Sequence, residues 1–477
     1  MSSEETTKTG AQPEKKAGGS TMQPISHECA FLEDYFYSIV QFQFDRAHEC
    51  ASKERTSPMD SKAPLWNGLL NSLITFANAE KGYFAMAFFE KRIFNRTLKP
   101  TYYSLSTEYM TLITSTTNPR KTEAFVYELC KQLNQFVQAR LKMIDFYEYF
   151  MKCKWSNVRN TKEIIVAIQE VGELFLKSFH HPVLDSLKTA FNYETEIITS
   201  LLTAEHKLCE WEFLESLLTL RDCKTKLHAW RILSPPVSVK DQQDATFKYS
   251  FFTSKQSKKQ SETPTLYQWL QLFYCHLLSK FSFYFYTTLS SQAASPDLKG
   301  SLSKNTIDYI SKVTNFQRKT DAHSVSLVLD ASSKESVYKG HGYFLENTLV
   351  DIPTGINSYP SVVSIPENIP KEHWPNIISM LTDSRMSELN SSSSSVTSSS
   401  STVVSAAVEK VCYLYDTRME STYFWIKVDV RMFLVLVYRM KKKEKDSYIN
   451  NFLTEIRANL GHEKLFQMLK PNQSKLF

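Results

Sequence analysis

The sequence predicts an α+β multidomain protein, with an N-terminal up-and-down helical bundle followed by a smaller mixed α/β domain that contains an antiparallel meander. Apolar residues recur at three- and four-residue steps through most of residues 27–294, which is typical of amphipathic helices. After about residue 303 the apolar residues instead fall in short runs bounded by polar turns, which is typical of strands. The length of 477 residues is sufficient for two or three domains of roughly 100–200 residues each.

The clearest helical pattern covers Glu123–Phe150, where apolar side chains fall on one face. The helix predicted at Leu266–Leu289 is apolar nearly all round, so it is either a buried central helix or a membrane span. We favour the buried helix, because inserting its Tyr, Gln, Lys and His residues into a bilayer would be costly. Long helices with few strands between them indicate an up-and-down bundle. The other predicted helices are Phe31–Glu49, Pro64–Asn95, Thr161–Phe179, Val183–Ile232 (where a break is left open) and Pro264–Ser291, which Thr263 caps.

The predicted second domain covers residues 303–470 and combines helices with short strands. It begins with a helix at Thr306–Gln317 and ends with a helix that Asp446 and Ser447 cap. Tyr448, Phe452, Ile456 and Leu460 are predicted to share one face of that closing helix. The predicted strands are Ser324–Asp330 and Ser361–Ile365, followed by the meander Val411–Tyr415, Thr422–Val428 and Met432–Tyr438.

Three polar segments interrupt these domains. Residues 1–26 are predicted to be a disordered tail, residues 233–263 a polar linker within the bundle, and residues 390–405 a disordered serine-rich insertion. The N-terminus has no apolar stretch typical of a secretory signal. The eight cysteines form no CxxC pair, which argues against a zinc ribbon and favours reduced thiols in a cytosolic protein.

Composition and motifs favour a protein without an active site. The net charge of +6 is mild for this length and does not require a nucleic-acid partner. No phosphate-binding loop or nucleophile elbow is recognised, and Gly340-His341-Gly342 is interpreted as a turn more readily than as a phosphate site. We therefore assign no catalytic, cofactor-binding or metal-binding residue and expect no cofactor.

The adjacent residues His180 and His181 invite a catalytic or metal-site interpretation. Neighbouring residues do not easily bind one metal ion, and the nearest metal-like pair is His206 with Cys209. We favour a structural role in which these imidazoles cap the carbonyl groups at a helix C-terminus. The alternative is an enzyme in which His180, His181 and His341 form a site between the two domains.

Two basic features have both a structural and a binding interpretation. Arg140 lies on the apolar stripe of its helix, so it needs a partner: either a buried ion pair with another helix or a partner protein. Lys441-Lys442-Lys443 follows a strand, and we interpret it as a solvated turn rather than as a contact with acidic lipid or protein.

A set of segments in fixed order resembles the KICSTOR complex subunit 2 family over roughly residues 27–470. In the helical half the segments are 136–140, 145–148, 179–184 and 280–285; in the second half they are 326–330, 340–343, 359–364, 373–376 and 421–424. The N-terminal tail and the long serine tract depart from the family pattern, and no function is transferred to them.

The resemblance implies a non-enzymatic scaffold, cytoplasmic and peripheral on the lysosomal membrane. It implies three partner subunits: kaptin, an integrin-alpha FG-GAP repeat protein and a very large seizure-threshold protein. It also implies that the complex recruits the GATOR GTPase-activating subcomplex and thereby restrains TOR complex 1 when amino acids or glucose are scarce. With no lipidation motif in the sequence, we expect membrane association to be indirect.

Overall fold

A computed structural model describes residues 27–56, 64–89, 98–116, 123–152, 158–233, 263–293, 295–332, 354–393 and 410–469. Four predictions fall wholly or mostly outside the described residues: the tail at 1–26, the linker at 233–263, the turn at Gly340-His341-Gly342, and the serine-rich insertion from residue 394 onward.

Helices dominate the first two thirds of the chain, as the apolar periodicity predicts. They are α1 (His27–Val40), α2 (Phe44–Thr56), α3 (Pro64–Phe84), α4 (Leu98–Ser115), α5 (Ala124–Lys152), α6 (Val158–Leu176), α7 (Asp185–Cys209), α8 (Phe213–Leu233), α9 (Thr265–Tyr284), α10 (Tyr286–Gln292), α11 (Ser295–Leu302) and α12 (Tyr309–Thr320). Most neighbours in sequence also pack together, so α7 lies against both α6 and α8, and α9 lies against α7 and α8. The predicted helical half is confirmed.

Left-handed residues end several helices earlier than predicted. The continuous helix at 31–49 is wrong, because Phe42 has a φ of 60° and separates α1 from α2. The ring of Phe42 packs against that of Phe84, with centroids 5.0 Å apart, and this packing offsets a conformational cost of roughly 1–2 kcal/mol. In the predicted helix 183–232, where a break is left open, Trp211 has a φ of 64° and separates α7 from α8.

Two other predicted helix boundaries also shift. The stretch predicted as 64–95 ends as α3 at Phe84, and Met86 follows it with a φ of 58°. At the start of α9 the N-cap residue is Pro264 rather than the predicted Thr263, whose carbonyl oxygen accepts a hydrogen bond from Gln268 instead. Phe285 then interrupts the predicted helix 264–291 and separates α9 from α10.

A five-stranded antiparallel sheet follows the helices. Its strands are β1 (Ser324–Leu329), β2 (Ser361–Ile365), β3 (Cys412–Asp416), β4 (Ser421–Asp429) and β5 (Met432–Tyr438), in the spatial order β2-β1-β5-β4-β3. The predicted meander is confirmed as β3, β4 and β5, with Phe424 opposite Leu436 and Tyr413 opposite Phe424.

The sheet is covered on both faces, so its central strand β5 is buried at every position. One face carries Phe424, Ile426, Leu434 and Leu436 and packs into the same core as the helical half. Its other face packs against α13 (Trp374–Ser393) through a second core of Val328, Tyr359, Trp374, Ile377, Met380, Leu381, Tyr423, Trp425, Phe433, Val435 and Val437. The sheet is therefore held between the helical half and α13.

The closing helices are α14 (Ser447–Leu460) and α15 (Glu463–Gln467). The predicted cap is confirmed, because a carboxylate oxygen of Asp446 accepts hydrogen bonds from the backbone N–H groups of Tyr448 and Ile449. The prediction that Tyr448 and Phe452 share one face of α14 is confirmed, because both rings stack against Phe316. Tyr448 lies at the edge of the core and is 52% exposed.

Among the described helices, none combines the length and apolar character needed to cross a bilayer. The segment 266–289, for which a membrane span was the alternative, is the helix α9 and the start of α10. In α9 the residues Leu266, Trp269, Leu270 and Phe273 are buried in the core, as predicted for a central helix.

Candidate functional site

The paired histidines lie where α6 is followed by the 3-10 turn Pro182–Leu184. Gln132 of α5 fixes them, since its side-chain oxygen accepts hydrogen bonds from the backbone N–H groups of His180 and His181 at 2.9 and 2.8 Å. The Nδ1 atom of His181 accepts a hydrogen bond from the N–H of Val183 at 3.3 Å. The predicted structural role is confirmed, but the predicted C-terminal capping is wrong: the imidazole of His181 caps the N-terminus of the next turn.

Replacing His181 by alanine is expected to destabilise the fold. The change removes the cap of the 3-10 turn and the ring contact with Phe125, whose centroid is 4.8 Å away. We expect the free energy of unfolding to fall by about 0.5–2 kcal/mol, the cost of losing a cap, as measured by urea denaturation. His228→Ala on the exposed face of α8 is the control and should unfold at the wild-type urea concentration.

The enzyme hypothesis requires three imidazoles to converge. His180 is exposed beside α5, His181 is buried against Phe125, and His341 lies outside the described residues.

The other metal-like pair in the sequence, His206 with Cys209, is not brought together as a metal site either. His206 Nε2 pairs with Glu210 at 3.1 Å, whereas Cys209 Sγ lies 3.4 Å from a carboxylate oxygen of Asp429.

Arg140 forms the predicted buried ion pair, and it does so with two helices. Its guanidinium donates to Glu80 of α3 at 2.9 Å and to Glu194 of α7 at 2.6 Å. Hydroxyl groups of three buried tyrosines donate to the same two carboxylates: Tyr83, Tyr102 and Tyr147. Burial raises the pKa of each tyrosine well above 10, and the neighbouring carboxylates raise it further, so the phenols stay protonated as donors. This cluster joins α3, α4, α5 and α7.

Lys280 forms a second buried charge cluster, which joins the helices to the sheet. Its Nζ atom lies 2.7 Å from Glu205 of α7 and 2.6 Å from Asp429 at the end of β4. Tyr284 of α9 donates a hydrogen bond to Asp429 at 2.9 Å. His462, in the turn before α15, donates to the second carboxylate oxygen of Glu205 at 3.1 Å. Segments from α7, α9, the end of β4 and the turn before α15 therefore meet in one buried polar cluster.

The Glu205 carboxylate of this Lys280 cluster remains ionised down to low pH. Burial by itself raises the pKa of a carboxyl group, but Lys280 and then His462 oppose it and hold the pKa of Glu205 at about 2. Glu205, Cys209 and Asp429 have atoms close enough to hold a metal ion. The ammonium of Lys280 already occupies the cationic position between the two carboxylates, so we interpret this group as an ion-pair network.

Acidification is expected to weaken the fold through His276, which faces His462 and Lys464. Burial, with these two groups, lowers the pKa of His276 from 6.5 to about 3. Between those pH values the unfolded chain binds a proton at residue 276 that the folded chain does not bind. Stability therefore falls as the pH falls below 6.5, by up to about 1.4 kcal/mol per pH unit from this group.

The measurement is urea unfolding of the wild type and of His276→Gln at pH 7.0, 6.0 and 5.0. The variant should lose less stability on acidification than the wild type. Glu205 contributes only below its unfolded value of 4.5, so it does not affect the comparison in this range. Equal slopes for the two proteins would show that His276 does not couple folding to pH.

The basic run 441–443 lies at the surface between β5 and α14, largely solvated as predicted, but the turn itself follows it at residues 444–445. Lys441 and Lys443 are exposed, and Lys442 is half-buried. The ammonium of Lys441 lies over the ring of Tyr415, 5.1 Å from its centroid, and that of Lys442 lies 4.9 Å from the ring centroid of Tyr438. Two of the three lysines are thus bound to the aromatic side chains of the sheet.

An apolar surface patch lies on the first two turns of α8. Buried residues follow one stripe of this helix, including Phe213, Leu220, Cys223, Leu227 and Trp230. Leu214, Leu217 and Leu218 lie outside that stripe at positions i, i+3 and i+4, with side chains 41%, 38% and 49% exposed. Elsewhere in the described residues the exposed large apolar side chains are spread over several helices, β3 and connecting segments, so this leucine patch is the most compact apolar surface for a protein partner.

Comparison with known proteins shows the family. The family model described as "KICSTOR complex C12orf66 like" matches residues 21–475. The chain is similar to KICSTOR subunit 2 of Danio rerio, with 34% identity over 94% of this chain and 97% of the relative. It is also similar to KICSTOR subunit 2 of Xenopus laevis, with 31% identity over 94% of this chain and 98% of the relative. The chain belongs to the C12orf66-like family of KICSTOR complex proteins.

Proposed function

We propose that the chain is a non-enzymatic scaffold subunit of a KICSTOR-like complex that recruits the GATOR GTPase-activating subcomplex to lysosomes. Through that recruitment it restrains TOR complex 1 when amino acids or glucose are scarce. The observation that carries the proposal is similarity to two relatives named as complex subunits across nearly the whole length of each. Its direct partners would be kaptin, the integrin-alpha FG-GAP repeat protein and the large seizure-threshold protein, and its membrane attachment would be indirect.

The structure supports a scaffold role through its rigidity. The Arg140 cluster fixes four helices, and the Lys280 cluster fixes the helices to the sheet. Buried polar networks of this kind hold a defined arrangement when all their members are paired. A scaffold needs such an arrangement because its exposed surfaces must keep their relative positions while partners bind. We propose the α8 leucine patch as the surface that packs against an apolar face of another subunit.

The cellular test is removal of the chain followed by rescue. In cells of its own organism, loss of the chain should leave phosphorylation of TOR complex 1 substrates high after amino-acid withdrawal. Re-expression of the wild type should restore the decrease. If the decrease is normal in cells that lack the chain, the proposed function is wrong.

The leucine patch is tested with the double variant Leu217→Asp/Leu218→Asp. We expect it to fold normally, because both side chains are exposed, but to recover less of the other subunits in affinity purification and to fail in rescue. Met110→Asp on α4 is the matched control, since Met110 is 45% exposed and lies outside the patch. Normal recovery by the double variant would exclude this surface while leaving the scaffold function in place.

A further inference from the structure

Three potential metal ligands converge near one end of the sheet. His323 precedes β1, while Glu372 and His373 lie in the 3-10 turn Lys371–His373 just before α13. One ligand atom from each residue lies within 4.8 Å of the other two. The imidazole centroids are 5.6 Å apart, and Nε2 of His373 is 3.6 Å from a carboxylate oxygen of Glu372. The two imidazoles and the carboxylate therefore face one another.

His373 is oriented as a metal ligand would be. The residue is 2% exposed, and its Nε2 atom has no hydrogen-bond partner among the described residues. A buried nitrogen without a partner is costly and uncommon, so it calls for an explanation. The other ring nitrogen, Nδ1, lies 2.8 Å from the hydroxyl of Tyr423, which also accepts a hydrogen bond from Asn376. Hydrogen bonding at one ring nitrogen commonly positions the other nitrogen toward a metal ion.

Glu372 and His373 are adjacent in sequence, yet both can reach the same metal position because one of them is a glutamate. The longer side chain of Glu372 folds back toward the ring of His373, which two neighbouring imidazoles such as His180 and His181 do not do. Glu372 has a side chain 54% exposed and His323 is half-buried, so two of the three ligands lie at the protein surface. An ion could enter without opening the core.

Arg439 is the existing cationic partner of Glu372, to which its guanidinium donates a hydrogen bond. Both side chains are more than half exposed, at 58% and 54%, and exposed ion pairs of this kind contribute little to stability. A divalent cation held by two imidazoles as well as the carboxylate would therefore compete well for Glu372. The Lys280 cluster differs, because its ammonium is buried between its two carboxylates.

We propose that His323, Glu372 and His373 form a binding site for Zn²⁺. Two neutral imidazole nitrogens and one carboxylate oxygen suit Zn²⁺ better than Mg²⁺ or Ca²⁺, which prefer oxygen ligands, and water would complete the tetrahedral coordination. The bound ion would link the turn before α13 to the start of β1. It would thereby hold α13 against the face of the sheet that lies away from the helical half.

The test is Zn²⁺ titration of the full-length purified chain, kept reduced and first freed of metal with a chelator. Calorimetry gives affinity and stoichiometry, and Co²⁺ substitution gives an absorption spectrum that reports tetrahedral coordination. We expect one ion per chain, with affinity reduced about 100-fold in His323→Gln and in Glu372→Gln, the upper end of the losses seen even for outer-shell changes. Arg439→Gln should bind as tightly as the wild type or more tightly.

Two control variants separate this site from other histidines and thiols. His228→Gln removes an exposed histidine of α8, and Cys209→Ser removes the thiol of the other three-residue group; both should keep wild-type affinity. Circular dichroism checks that each variant is folded. The proposal is overturned if His323→Gln and Glu372→Gln bind Zn²⁺ as the wild type does, if Cys209→Ser loses the ion, or if the wild type binds no more tightly than the His323→Gln/Glu372→Gln double variant.

Discussion

Replacement of Arg140 by methionine is expected to lower the free energy of unfolding by about 3–5 kcal/mol, the cost of breaking a buried ion pair by removing one partner. Glu80 and Glu194 would remain in the core without a cation, and each carboxylate is fully buried. A loss of this size is a large part of the total stability of a typical domain, about 5–15 kcal/mol. Urea denaturation followed by circular dichroism measures it.

The triple variant Arg140→Met/Glu80→Gln/Glu194→Gln distinguishes two causes of the lost stability, uncompensated charge and lost packing. If uncompensated carboxylates cause the loss, neutral amides should recover most of it, because the three tyrosine hydroxyls can still donate to the amide oxygens. The exposed residue Arg221 of α8 offers the matched control Arg221→Met, for which we expect a change below about 0.5 kcal/mol. Wild-type stability of Arg140→Met would refute this account of the cluster.

Replacement of Lys280 by methionine is expected to cost a similar amount, about 3–5 kcal/mol. The part of the fold that is loosened would differ from that in Arg140→Met, because Lys280 joins Glu205 of α7 to Asp429 of β4. Hydrogen exchange measured by mass spectrometry should show faster exchange at the end of β4 and in the turn before α15. Exchange in α3 and α4, which the Arg140 cluster holds, should change much less.

The control for Lys280→Met is Lys224→Met, which removes an exposed ammonium of α8. It should leave both the unfolding curve and the exchange pattern unchanged. If Lys280→Met accelerated exchange evenly across all described helices, the cluster would be a general source of stability and not the specific link between the helices and the sheet.

Local patterns predicted the elements well because periodicity is a local property. The strand Met432–Tyr438 agrees with the prediction at both ends, and α5 differs from it by one residue at its start and two at its end. The helix breaks at Phe42 and Met86 were missed because an aromatic or a methionine at a φ near 60° gives no sequence signal. For Phe42 the left-handed conformation results from packing against distant rings, which periodicity does not contain.

The charge clusters were predicted only in part. A buried partner for Arg140 followed from its place on an apolar stripe, but neither Glu80 nor Glu194 could be identified, since they lie 60 and 54 residues away along the chain. Lys280 gave the same kind of signal, a cation in an apolar helix, yet its role at the junction was missed. The division into domains at residues 294 and 303 stays a prediction, and the helices and one sheet face share one core.

The candidate Zn²⁺ ligands could not be recognised from spacing alone. His323 is far from Glu372 and His373 in sequence, and the three meet only because β1 pairs with β5 and the turn before α13 covers the end of that pair. The exposure of Leu214, Leu217 and Leu218 on α8 could not be predicted from the sequence either. Their exposure depends on which stripe of α8 faces α7 and α9, and the contacts between helices decide this.

Membership of a KICSTOR-like complex is the central claim, and affinity purification tests it most directly. The tagged full-length chain is purified from cells of its own organism, and the recovered proteins are quantified by mass spectrometry against an untagged control. The account predicts recovery of kaptin, the integrin-alpha FG-GAP repeat protein and the large seizure-threshold protein in amounts comparable to the chain itself. Recovery of a folded chain with none of these subunits above the control would contradict it.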